Sequence, residues 1–434
     1  MNDTKKIIVI TFYFAPFNDT GSYRALKFVK YLPEQGWHPV VLTCENPDYS
    51  SVDPLLLNEI PSTVPVIKTR WMAFRSIPRI QTESSDNGHS NSGIPKLGKR
   101  WLSKLYHILI QPDDKLTWAI SSLYTAYSLC KKHRVTAIYT TSPPHSVHLL
   151  GWILSKLLGI TWFCDFRDPW IDNVLYQNTN KFWLTHTINR VLEKLVITQS
   201  DHVIANTKTN RKRLLERYAK VSPKQISVIY NGFDVNDSPP VMSSHEKLQF
   251  TYTGTLYDGM SDVFFRNLNE IVQDHPTWKT QFQIQLIGHR ETGIQTILCN
   301  LPHLTTVLVL QDKVPRSAAF QALLHSDVLL YFLYPSASAA GWVPSKLYDY
   351  LATQKPIFCL GLPGEAQRII RASRAGIVVN PFNKTAITQQ LRIFLTEFQQ
   401  GTLNVSRNEM FIRHFHRKTQ TCQLARMLNQ HVSG

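Results

Sequence analysis

The residues best suited to chemistry in this chain surround a run of small residues that ends in a proline. In YPSASAAGWVPSKLYDYLATQKPIFCLG, residues 334–361, a buried strand pattern leads into this run, and Pro344 takes the first turn of a predicted helix. Free N–H groups and the helix dipole gather at such a start, so a phosphate or pyrophosphate can bind there. Ser345, Lys346 and Asp349 face away from the core, where Lys346 adds a cation and Asp349 accepts hydrogen bonds from ligand hydroxyls. Taken alone, the same pattern also fits an ordinary α/β helix.

A second helix start follows the first strand pattern of the chain. Gly21 and Ser22 precede an amphipathic helical pattern, and this start is compatible with a phosphate or a sugar. Arg24 lies in the first turn, where a cation opposes the helix dipole, so a ligand would explain it better than a structural role. A plain N-cap explains Gly21 and Ser22 equally well. The run lacks GxGxxG, which argues against a nicotinamide enzyme.

A third group of reactive side chains follows two neighbouring strand patterns. His145 comes just after one strand, and Asp165, Arg167 and Asp168 come at the end of the next. Strand ends face the ligand in parallel sheets, so these groups are expected to converge on a substrate. Because an unpaired buried charge is costly, function is favoured for the Asp–Arg–Asp cluster. For His145, helix capping is an equal alternative.

Parallel strands are needed to bring these candidates together. Apolar, β-branched runs alternate with helical patterns in two series, which predicts two successive doubly wound units with ligands bound in a cleft beyond the strand ends. The first series is 7–12, 39–44, 137–142, 161–166 and 202–207. The second is 226–230, 248–253, 282–287, 306–310, 328–333, 356–360 and 376–379. The segment VSPKQISVIYNGFD, residues 221–234, is the predicted crossing point.

The composition limits which partners and which cellular location are expected for the protein. The net charge is +16, which fits nucleic acid, an anionic membrane or a phosphorylated substrate. No recognised nucleic-acid module accompanies the basic residues, so nucleic acid is not expected. No apolar run reaches the roughly 18 residues that span a bilayer, and the N-terminus enters a strand pattern directly, so a cytoplasmic protein is expected. The six cysteines have no paired spacing and are expected to be reduced.

The run GWVPSKLYDYLATQKPI resembles the donor-binding signature of retaining, nucleotide-sugar-dependent glycosyltransferases of the GT-B fold, in particular the family 4 type. The resemblance implies that Asp349 holds the ribose of a nucleotide, where the family usually has Glu. A second family Glu, near the donor sugar, is replaced by Gly341. The segment SPPH…DFRDPW resembles a branch of the same family, which supports His145 and the Asp165, Arg167 and Asp168 cluster as catalytic residues. The NGFD run resembles the family segment that enters the second domain.

The resemblance also implies how the diphosphate is held. The family usually places an Arg and a Lys in the loop after the first strand of the second domain, where this chain has Gly254 and Thr255. Lys346, Arg290 or first-domain residues such as Arg24 and Arg167 must then supply the positive charge. Gly21 takes the place of a family glycine that approaches the donor or the acceptor.

The predicted architecture is therefore GT-B: two Rossmann-like doubly wound domains that face a cleft. Residues 1–222 form the acceptor-side domain, 223–408 the nucleotide-sugar domain, and 409–434 a helix that returns to the first domain. The resemblance implies transfer of a sugar, with retention, from a nucleoside diphosphate sugar to a hydroxyl-bearing saccharide or lipid-linked acceptor in bacterial polysaccharide, glycolipid or glycoconjugate biosynthesis. With no protein nucleophile and no Asp-x-Asp motif evident, no metal or other cofactor is expected.

A basic segment interrupts the first domain. Residues 68–104 hold eight Lys or Arg against two acids and lead into WLSKLYHILI, residues 101–110, whose apolar residues recur at helical spacing. A basic, Trp-bearing amphipathic helix is typical of an anionic membrane surface, and a helix packed on the domain is an equal alternative.

Two other functions remain open. A nucleotide-sugar epimerase on the same fold would need an acid/base pair and no acceptor. A catalytically weak sugar-nucleotide-binding subunit would fit Gly341 and the cation-free loop at Gly254.

Overall fold

The structure is a computed structural model, and it describes residues 5–18, 20–47, 52–72, 110–173, 183–234 and 245–432. Most of the basic segment and of the helix predicted at 101–110 lies outside the described residues. The chain divides into two compact units. The first takes the described residues of Met1–Asn206, Asn210–Tyr230 and Gln420–Gly434, and the second takes those of Thr207–Thr209 and Asn231–Thr419.

The first unit contains a parallel sheet in the order β3-β2-β1-β4-β5-β6-β7. Its strands are β1 (Lys5–Ile10), β2 (Trp37–Cys44), β3 (Val66–Thr69), β4 (Ala137–Ser142), β5 (Thr161–Phe166), β6 (His202–Ala205) and β7 (Ile226–Val228). Alternate residues of β1 enter different cores, Ile8 in one and Ile7 in the other, because successive side chains of a strand point to opposite faces. The sheet is therefore buried on both faces, as the continuous apolar runs predict.

The second unit repeats the arrangement in the order β10-β9-β8-β11-β12-β13, again with parallel pairing. Its strands are β8 (Leu248–Thr253), β9 (Phe282–Ile287), β10 (Leu308–Gln311), β11 (Val328–Phe332), β12 (Ile357–Leu360) and β13 (Gly376–Val379). In both units the strand order reverses beside the first strand, and this reversal is where doubly wound folds bind ligands.

Helices connect the strands. They are α1 (Thr20–Tyr31), α2 (Leu116–Ser121), α3 (Leu123–His133), α4 (Ser146–Leu158), α5 (Trp183–Gln199), α6 (Lys208–Arg217), α7 (Asp262–Asp274), α8 (Thr292–Cys299), α9 (Arg316–Leu324), α10 (Lys346–Thr353), α11 (Glu365–Ser373), α12 (Lys384–Gln399), α13 (Glu409–Ile412) and α14 (Arg417–Val432). Among the described residues, no helix is both long and apolar enough to cross a membrane.

The passage between the units differs from the sequence interpretation in its position. The run at 226–230 does not begin the second series of strands, because β7 pairs with β6 and belongs to the first sheet. The chain enters the second unit at Asn231, beyond the expected boundary at 222. From Gln420 onward, α14 belongs to the first unit, where Asn429 accepts hydrogen bonds from Lys5 and from the Trp37 indole.

A buried ion pair joins α1 to the centre of the first sheet. Arg24 Nε and Nη2 donate to the two carboxylate oxygens of Asp165, each at 2.7 Å, and both residues are 0% exposed. The guanidinium also donates to the carbonyls of Tyr230 (2.7 Å) and Ile229 (3.0 Å). Burial lowers the pKa of Arg24, but Asp165 and Tyr139 outweigh it and the net shift is upward.

The same pair corrects two site predictions. Asp165 also accepts hydrogen bonds from the hydroxyls of Tyr139 (2.5 Å) and Thr141 (3.0 Å), which fills its acceptor sites within the core. The prediction that Arg24 binds the donor and that Asp165 is catalytic is therefore wrong, because each side chain is enclosed and neutralises the other.

Removal of the cation should strongly destabilise the first unit. Arg24→Met leaves Asp165 charged and unpaired in the core, so we expect the free energy of unfolding, measured by urea denaturation, to fall by about 3–5 kcal/mol. The double variant Arg24→Met/Asp165→Leu should recover part of that loss, because it buries no charge. Arg190→Met changes an exposed arginine of α5 and should stay within about 0.5 kcal/mol of the wild type. An equal effect of Arg24→Met and Arg190→Met would contradict a structural role for the pair.

Candidate functional site

The best-assembled candidate site lies in the second unit, where β8 and β11 are neighbours. Gly254 directly follows β8, and the chain after β11 leads through a short 3₁₀ turn at Ala337–Gly341 to the start of α10. Both connections leave the carboxyl ends of their strands at the point where the strand order reverses. The geometry therefore brings together two of the predicted groups, the Gly254 loop and the start of α10.

Lys346, the first residue of α10, lies directly against Gly254. A Cβ at Gly254 would stand 2.9 Å from Lys346 Nζ, and the φ of Gly254 is +111°, so this position strongly favours glycine. The neighbouring loop is equally close, since a Cβ at Gly288 would stand 2.4 Å from the Gly254 carbonyl oxygen. The loop that lacks its own cation therefore has one from the helix.

The ammonium of Lys346 has no carboxylate within ion-pair distance among the described residues. Nζ donates to the Tyr252 hydroxyl and stands 3.9 Å from the centroid of the Tyr252 ring. Burial lowers the pKa of Lys346 to about 7. An ammonium that has a hydroxyl and a ring as its close partners among the described residues is readily stabilised by a bound anion.

Asp349 lies one turn along α10 and is 27% exposed at its side chain. Its Oδ1 accepts a hydrogen bond from Arg316 Nη2 of α9 at 2.7 Å. Burial raises the pKa of Asp349, while Arg316 and Arg417 act in the opposite direction. The carboxylate is thus accessible, as predicted, but it already has one arginine partner.

Packing explains the position of α10. Leu347, Tyr350 and Leu351 are each 0% exposed, as their spacing predicts, and the Tyr350 hydroxyl accepts a hydrogen bond from the backbone N–H of Thr253 at 3.2 Å. The Pro344 carbonyl accepts a hydrogen bond from the Tyr331 hydroxyl at 3.3 Å. These contacts fix the helix start against the ends of β8 and β11.

Two other predicted groups of this unit have different surroundings. Arg290 lies in the loop after β9, but its guanidinium donates to Gly288, Gln295, Gln311 and Asp312. It closes its own loop and is poorly placed to supply the charge expected of it. The carbonyl of Thr255 accepts a hydrogen bond from Tyr252 at 2.7 Å, whereas Ser345 is exposed at the helix start.

Sequence reasoning missed a small pocket of about 10 Å³ near this helix start. The Tyr334 and Trp342 rings line it, with centroids 5.7 Å apart, and the Glu365 carboxylate lies at the start of α11. Gly364 also lines the pocket and approaches the Ala340 backbone. A Cβ at position 364 would stand 2.8 Å from the Ala340 carbonyl oxygen. The small residues after Tyr334 were the available sequence signal, because they permit this close approach.

In the first unit, His145 lies at the start of α4 in a closed environment. Its ring stacks on Trp170, with centroids 4.4 Å apart and planes 5° apart. Burial, together with His148 and Arg167, lowers the pKa of His145 well below its usual value. His145 is therefore a neutral imidazole at physiological pH.

Asp113, which sequence reasoning missed, caps the helix that His145 begins. Its carboxylate accepts hydrogen bonds from the backbone N–H groups of His145 (2.6 Å) and Ser146 (3.0 Å) and from the Ser146 hydroxyl (2.7 Å). This side chain occupies the anion-binding end of α4. The cap comes from 32 residues upstream of His145, beyond the reach of a local capping motif.

Arg167 and Asp168 follow β5 as predicted and form an ion pair at 3.2 Å. The Asp168 side chain is 32% exposed and the Arg167 side chain 9%. The loop that carries them is held by α5, since Trp170 Nε1 donates to Asn189 at 2.8 Å and the Ile171 N–H donates to Glu193 at 2.9 Å. Of the predicted acidic cluster, Asp168 is therefore the accessible carboxylate.

Gly21 and Ser22 lie inside the first turn of α1, and Ser22 is 0% exposed. The Ser22 hydroxyl has no hydrogen-bond partner among the described groups. The part of the chain that the structure describes also holds no group of three or more His, Cys, Asp or Glu side chains arranged to bind a metal ion.

Comparison with known proteins relates part of the sequence to a sugar-transfer family. A sequence model described as Glycosyltransferase Family 4 matches residues 22–237, just under half of the chain. No curated protein matches the chain in sequence.

Solved structures match nearly the whole chain. A sucrose-phosphate synthase from Thermosynechococcus elongatus is 13% identical over 99% of both chains, with a TM-score of 0.65. HepE of Anabaena, in complex with UDP and glucose, is 15% identical over 98% of this chain and 100% of its own, with a TM-score of 0.61. A putative UDP-N-acetylglucosamine 2-epimerase from Listeria monocytogenes is 9% identical over 99% and 97%, with a TM-score of 0.56. At these identities the likeness shows the fold, which is GT-B, as predicted.

The burial of Lys346 should be measurable as a pH-dependent cost to folding. Because its pKa is lower in the folded state than in the unfolded chain, Lys346→Met should raise the free energy of unfolding most below pH 7. The gain should shrink as pH rises from 7 towards 10. Over most of this range Lys346 is already deprotonated in the folded wild type, and in the unfolded chain it loses its proton only near the upper end. Urea denaturation at pH 6 to 10 measures it. Lys384→Met, which removes an exposed lysine paired with Glu270 and Asp274, should show no such gain. A pH-independent gain from Lys346→Met would contradict the buried ammonium.

Proposed function

We propose that the chain is a retaining family 4-type glycosyltransferase that moves a sugar from a nucleoside diphosphate sugar to a hydroxyl-bearing acceptor. The observation that carries this proposal is the contact between Lys346 and Gly254 at the strand reversal of the second unit, with Asp349 one turn further along α10. In this arrangement the cation and the helix start suit the diphosphate, and the carboxylate one turn further suits the ribose.

Lys346 is proposed to hold the diphosphate. The bound anion would raise the low pKa of its ammonium and keep it charged, and the α10 dipole would add to the attraction. During transfer, negative charge accumulates on the departing diphosphate, so a positioned cation stabilises the transition state more than the ground state. At the start of α10, the backbone N–H groups of Ser345 and Lys346, which follow Pro344, are proposed to share this role.

Asp349 is proposed to hold the ribose. Its Oδ1 is occupied by Arg316, and Oδ2 has no hydrogen bond to the described residues. A ribose hydroxyl can therefore donate to Oδ2 without displacing the arginine. Arg316 also favours the charged form of the carboxylate, and the charged form makes the stronger hydrogen bond.

In the first unit, Arg167 and Asp168 are proposed to act on the reacting sugar or the acceptor. Asp168 is the accessible carboxylate of that strand end, and Arg167 limits its freedom. His145 is proposed to contribute as a neutral hydrogen-bonding group, because its low pKa rules out a stable imidazolium. This division leaves no residue assigned as a covalent nucleophile, in keeping with direct attack on the same face of the sugar. No metal or other cofactor is proposed.

The donor class and the acceptor class belong to the same proposal. HepE is crystallised with UDP, with UDP and glucose and with UDP-glucose, which supports a uridine diphosphate sugar as the first donor to test. A saccharide or lipid-linked acceptor, as in polysaccharide or glycolipid biosynthesis, fits the excess of 47 Lys and Arg over 31 Asp and Glu, because such acceptors lie at anionic membrane surfaces.

A nucleotide-sugar epimerase is the second candidate, favoured by the structural likeness to the Listeria protein. An epimerase converts the donor alone, whereas a transferase releases the nucleoside diphosphate only as sugar reaches an acceptor. Incubation of the chain with UDP-sugars, followed by chromatography of the nucleotides, separates the two. A new UDP-sugar formed without acceptor would overturn the transferase proposal.

Loss of Asp349 should weaken nucleotide binding. Asp349→Ala removes a charge-assisted hydrogen bond, so the dissociation constant should rise by about 10- to 150-fold, equivalent to roughly 1.5–3 kcal/mol. Calorimetry with whichever of UDP, GDP, ADP or dTDP stabilises the wild type most in a thermal-shift screen measures this effect.

Two variants control the Asp349 experiment. Glu270→Ala breaks an exposed ion pair with Lys384 in the same unit and should leave nucleotide affinity unchanged. Arg316→Gln removes the partner of Asp349 but leaves the carboxylate, so affinity should fall much less than in Asp349→Ala. Unchanged affinity in a folded Asp349→Ala variant would rule out the ribose assignment.

Loss of Asp168 should affect turnover rather than nucleotide binding. We expect Asp168→Asn to lower kcat at least about tenfold at saturating donor, with the nucleotide dissociation constant within about twofold of wild type. Asp172→Asn alters a carboxylate of the same loop that pairs with Arg217, and it serves as the matched control. If Asp168→Asn abolished nucleotide binding instead, the roles of the two units would be reversed.

A further inference from the structure

Helices α2 and α3 form an almost continuous outer helix of the first unit. Ser122 joins them with φ −84° and ψ −9°, close to helical values. Its N–H donates to the Trp118 carbonyl, and its own carbonyl accepts from the Ala126 N–H, both at 2.9 Å. Residues 116–133 therefore present their side chains as one helix would.

The inner face of this helix packs in the core of the first unit. Trp118 is 0% exposed, Ala119 3%, Ala126 0% and Cys130 2%, and all four belong to one hydrophobic cluster. These buried positions anchor the helix to the first unit. A row of apolar side chains on the opposite face is not explained by this packing.

The outer face carries an apolar stripe. Ile120 is 63% exposed, Tyr124 81% and Tyr127 37%. Their spacings of four and three residues place them on one line along the helix. Single exposed apolar residues need no explanation, but three in line on the face opposite the core form a patch.

The same line ends in positive charge. Lys131 continues the spacing and stands 5.9 Å from the Tyr127 ring, and Lys132 and Arg134 follow it, all three exposed. No Asp or Glu occurs from Lys115 to Cys164, a stretch that also contains Lys156. The stripe is therefore apolar, aromatic and cationic, with no carboxylate on either helix to offset it.

This combination matches the boundary layer of an anionic bilayer. A tyrosine can bury its ring among the acyl chains while its hydroxyl remains hydrated. A lysine can bury its methylene groups while its ammonium reaches the lipid phosphates. Each Lys or Arg near an anionic leaflet adds attraction, whereas a carboxylate would subtract from it. A docked protein would leave the high local charge unexplained unless it were itself strongly acidic.

We propose that the outer face of α2 and α3, formed by Ile120, Tyr124, Tyr127 and Lys131, together with the exposed Lys132 and Arg134 at the C-terminal end of α3, is a docking surface for anionic phospholipid. It rests on the lipid-linked acceptor of the proposed function, but not on the chemistry of sugar transfer. The surface consists only of described residues and is separate from the basic segment between Lys68 and Lys104. It would carry the first unit to a membrane on which a lipid-linked acceptor lies.

Vesicle binding of the full chain tests the surface. The wild type should co-sediment with vesicles that contain phosphatidylglycerol and not with neutral phosphatidylcholine vesicles. Lys131→Gln/Lys132→Gln/Arg134→Gln should weaken binding about a hundredfold, at about fivefold per charge. Ile120→Ser/Tyr124→Ser should weaken it at least about tenfold and remove less of its salt dependence.

Matched variants separate this face from bulk charge and bulk apolarity. Lys194→Gln/Lys220→Gln/Lys224→Gln removes three exposed charges elsewhere in the same unit, and Val191→Ser/Met410→Ser removes two exposed apolar side chains. Both variants should bind vesicles as the wild type does. Equal losses in the face and control triples would overturn the proposal, because the attraction would then follow net charge alone.

Three other results would also overturn it. One is a wild type that does not bind anionic vesicles. Another is a loss of binding confined to a variant that neutralises Lys96, Lys99, Arg100 and Lys104. The third is a wild-type dimer in light scattering that Ile120→Ser/Tyr124→Ser converts to a monomer, since the face would then join two copies of the chain. Nucleotide affinity should be unchanged in every variant, so failure of the vesicle result and failure of the proposed function are distinguishable.

Discussion

The first unit depends on one buried ion pair. Arg24 and Asp165 are 0% exposed and bonded through both guanidinium nitrogens that face the carboxylate. Desolvation of two charges is repaid only when geometry and further hydrogen bonds are good, and here Tyr139, Thr141 and two backbone carbonyls complete the set. Because the carbonyls of Ile229 and Tyr230 take part, the pair also fixes the chain where it leaves the first unit. The strand end that carries Asp168 thus starts from a rigid base.

The second unit also contains a cation removed from water, but this cation has no carboxylate partner among the described residues. Lys346 is half-buried, and its ammonium lies against an aromatic ring. Desolvation lowers the pKa of Lys346 to about 7, whereas the pKa of Arg24 is raised. An ion pair completed inside the fold has no electrostatic need for a ligand, whereas a desolvated cation without a counter-charge has one. This difference separates a structural charge from a binding charge, although both lie near the first strand of a doubly wound sheet.

Sequence reasoning located nearly all the strands because a sheet buried on both faces needs continuous apolar runs. It missed β3, a four-residue edge strand with no fully buried side chain, and it placed β7 with the wrong sheet. Among site residues, the spacing on α10 gave Leu347, Tyr350 and Leu351 their core positions correctly. It could not show that Arg24 and Asp165 pair with each other, because 141 residues separate them. The residue type alone does not distinguish a charge that faces a ligand from one that is buried in an ion pair.

Gly254 bears on the position of the cation in the second unit, which sequence reasoning alone could not establish. At Gly254 the positive φ disfavours any side chain, and a Cβ there would stand 2.9 Å from Lys346 Nζ, so position 254 itself is poorly suited to a lysine or arginine. A cation on the loop would move with the loop, but one at the first turn of α10 is fixed by the packing of Tyr350 and Leu347. Preorganised charge costs little reorganisation when negative charge develops beside it. A cation at the helix start can therefore supply the electrostatics that the proposed reaction needs, and the glycine at position 254 leaves room for it beside the loop.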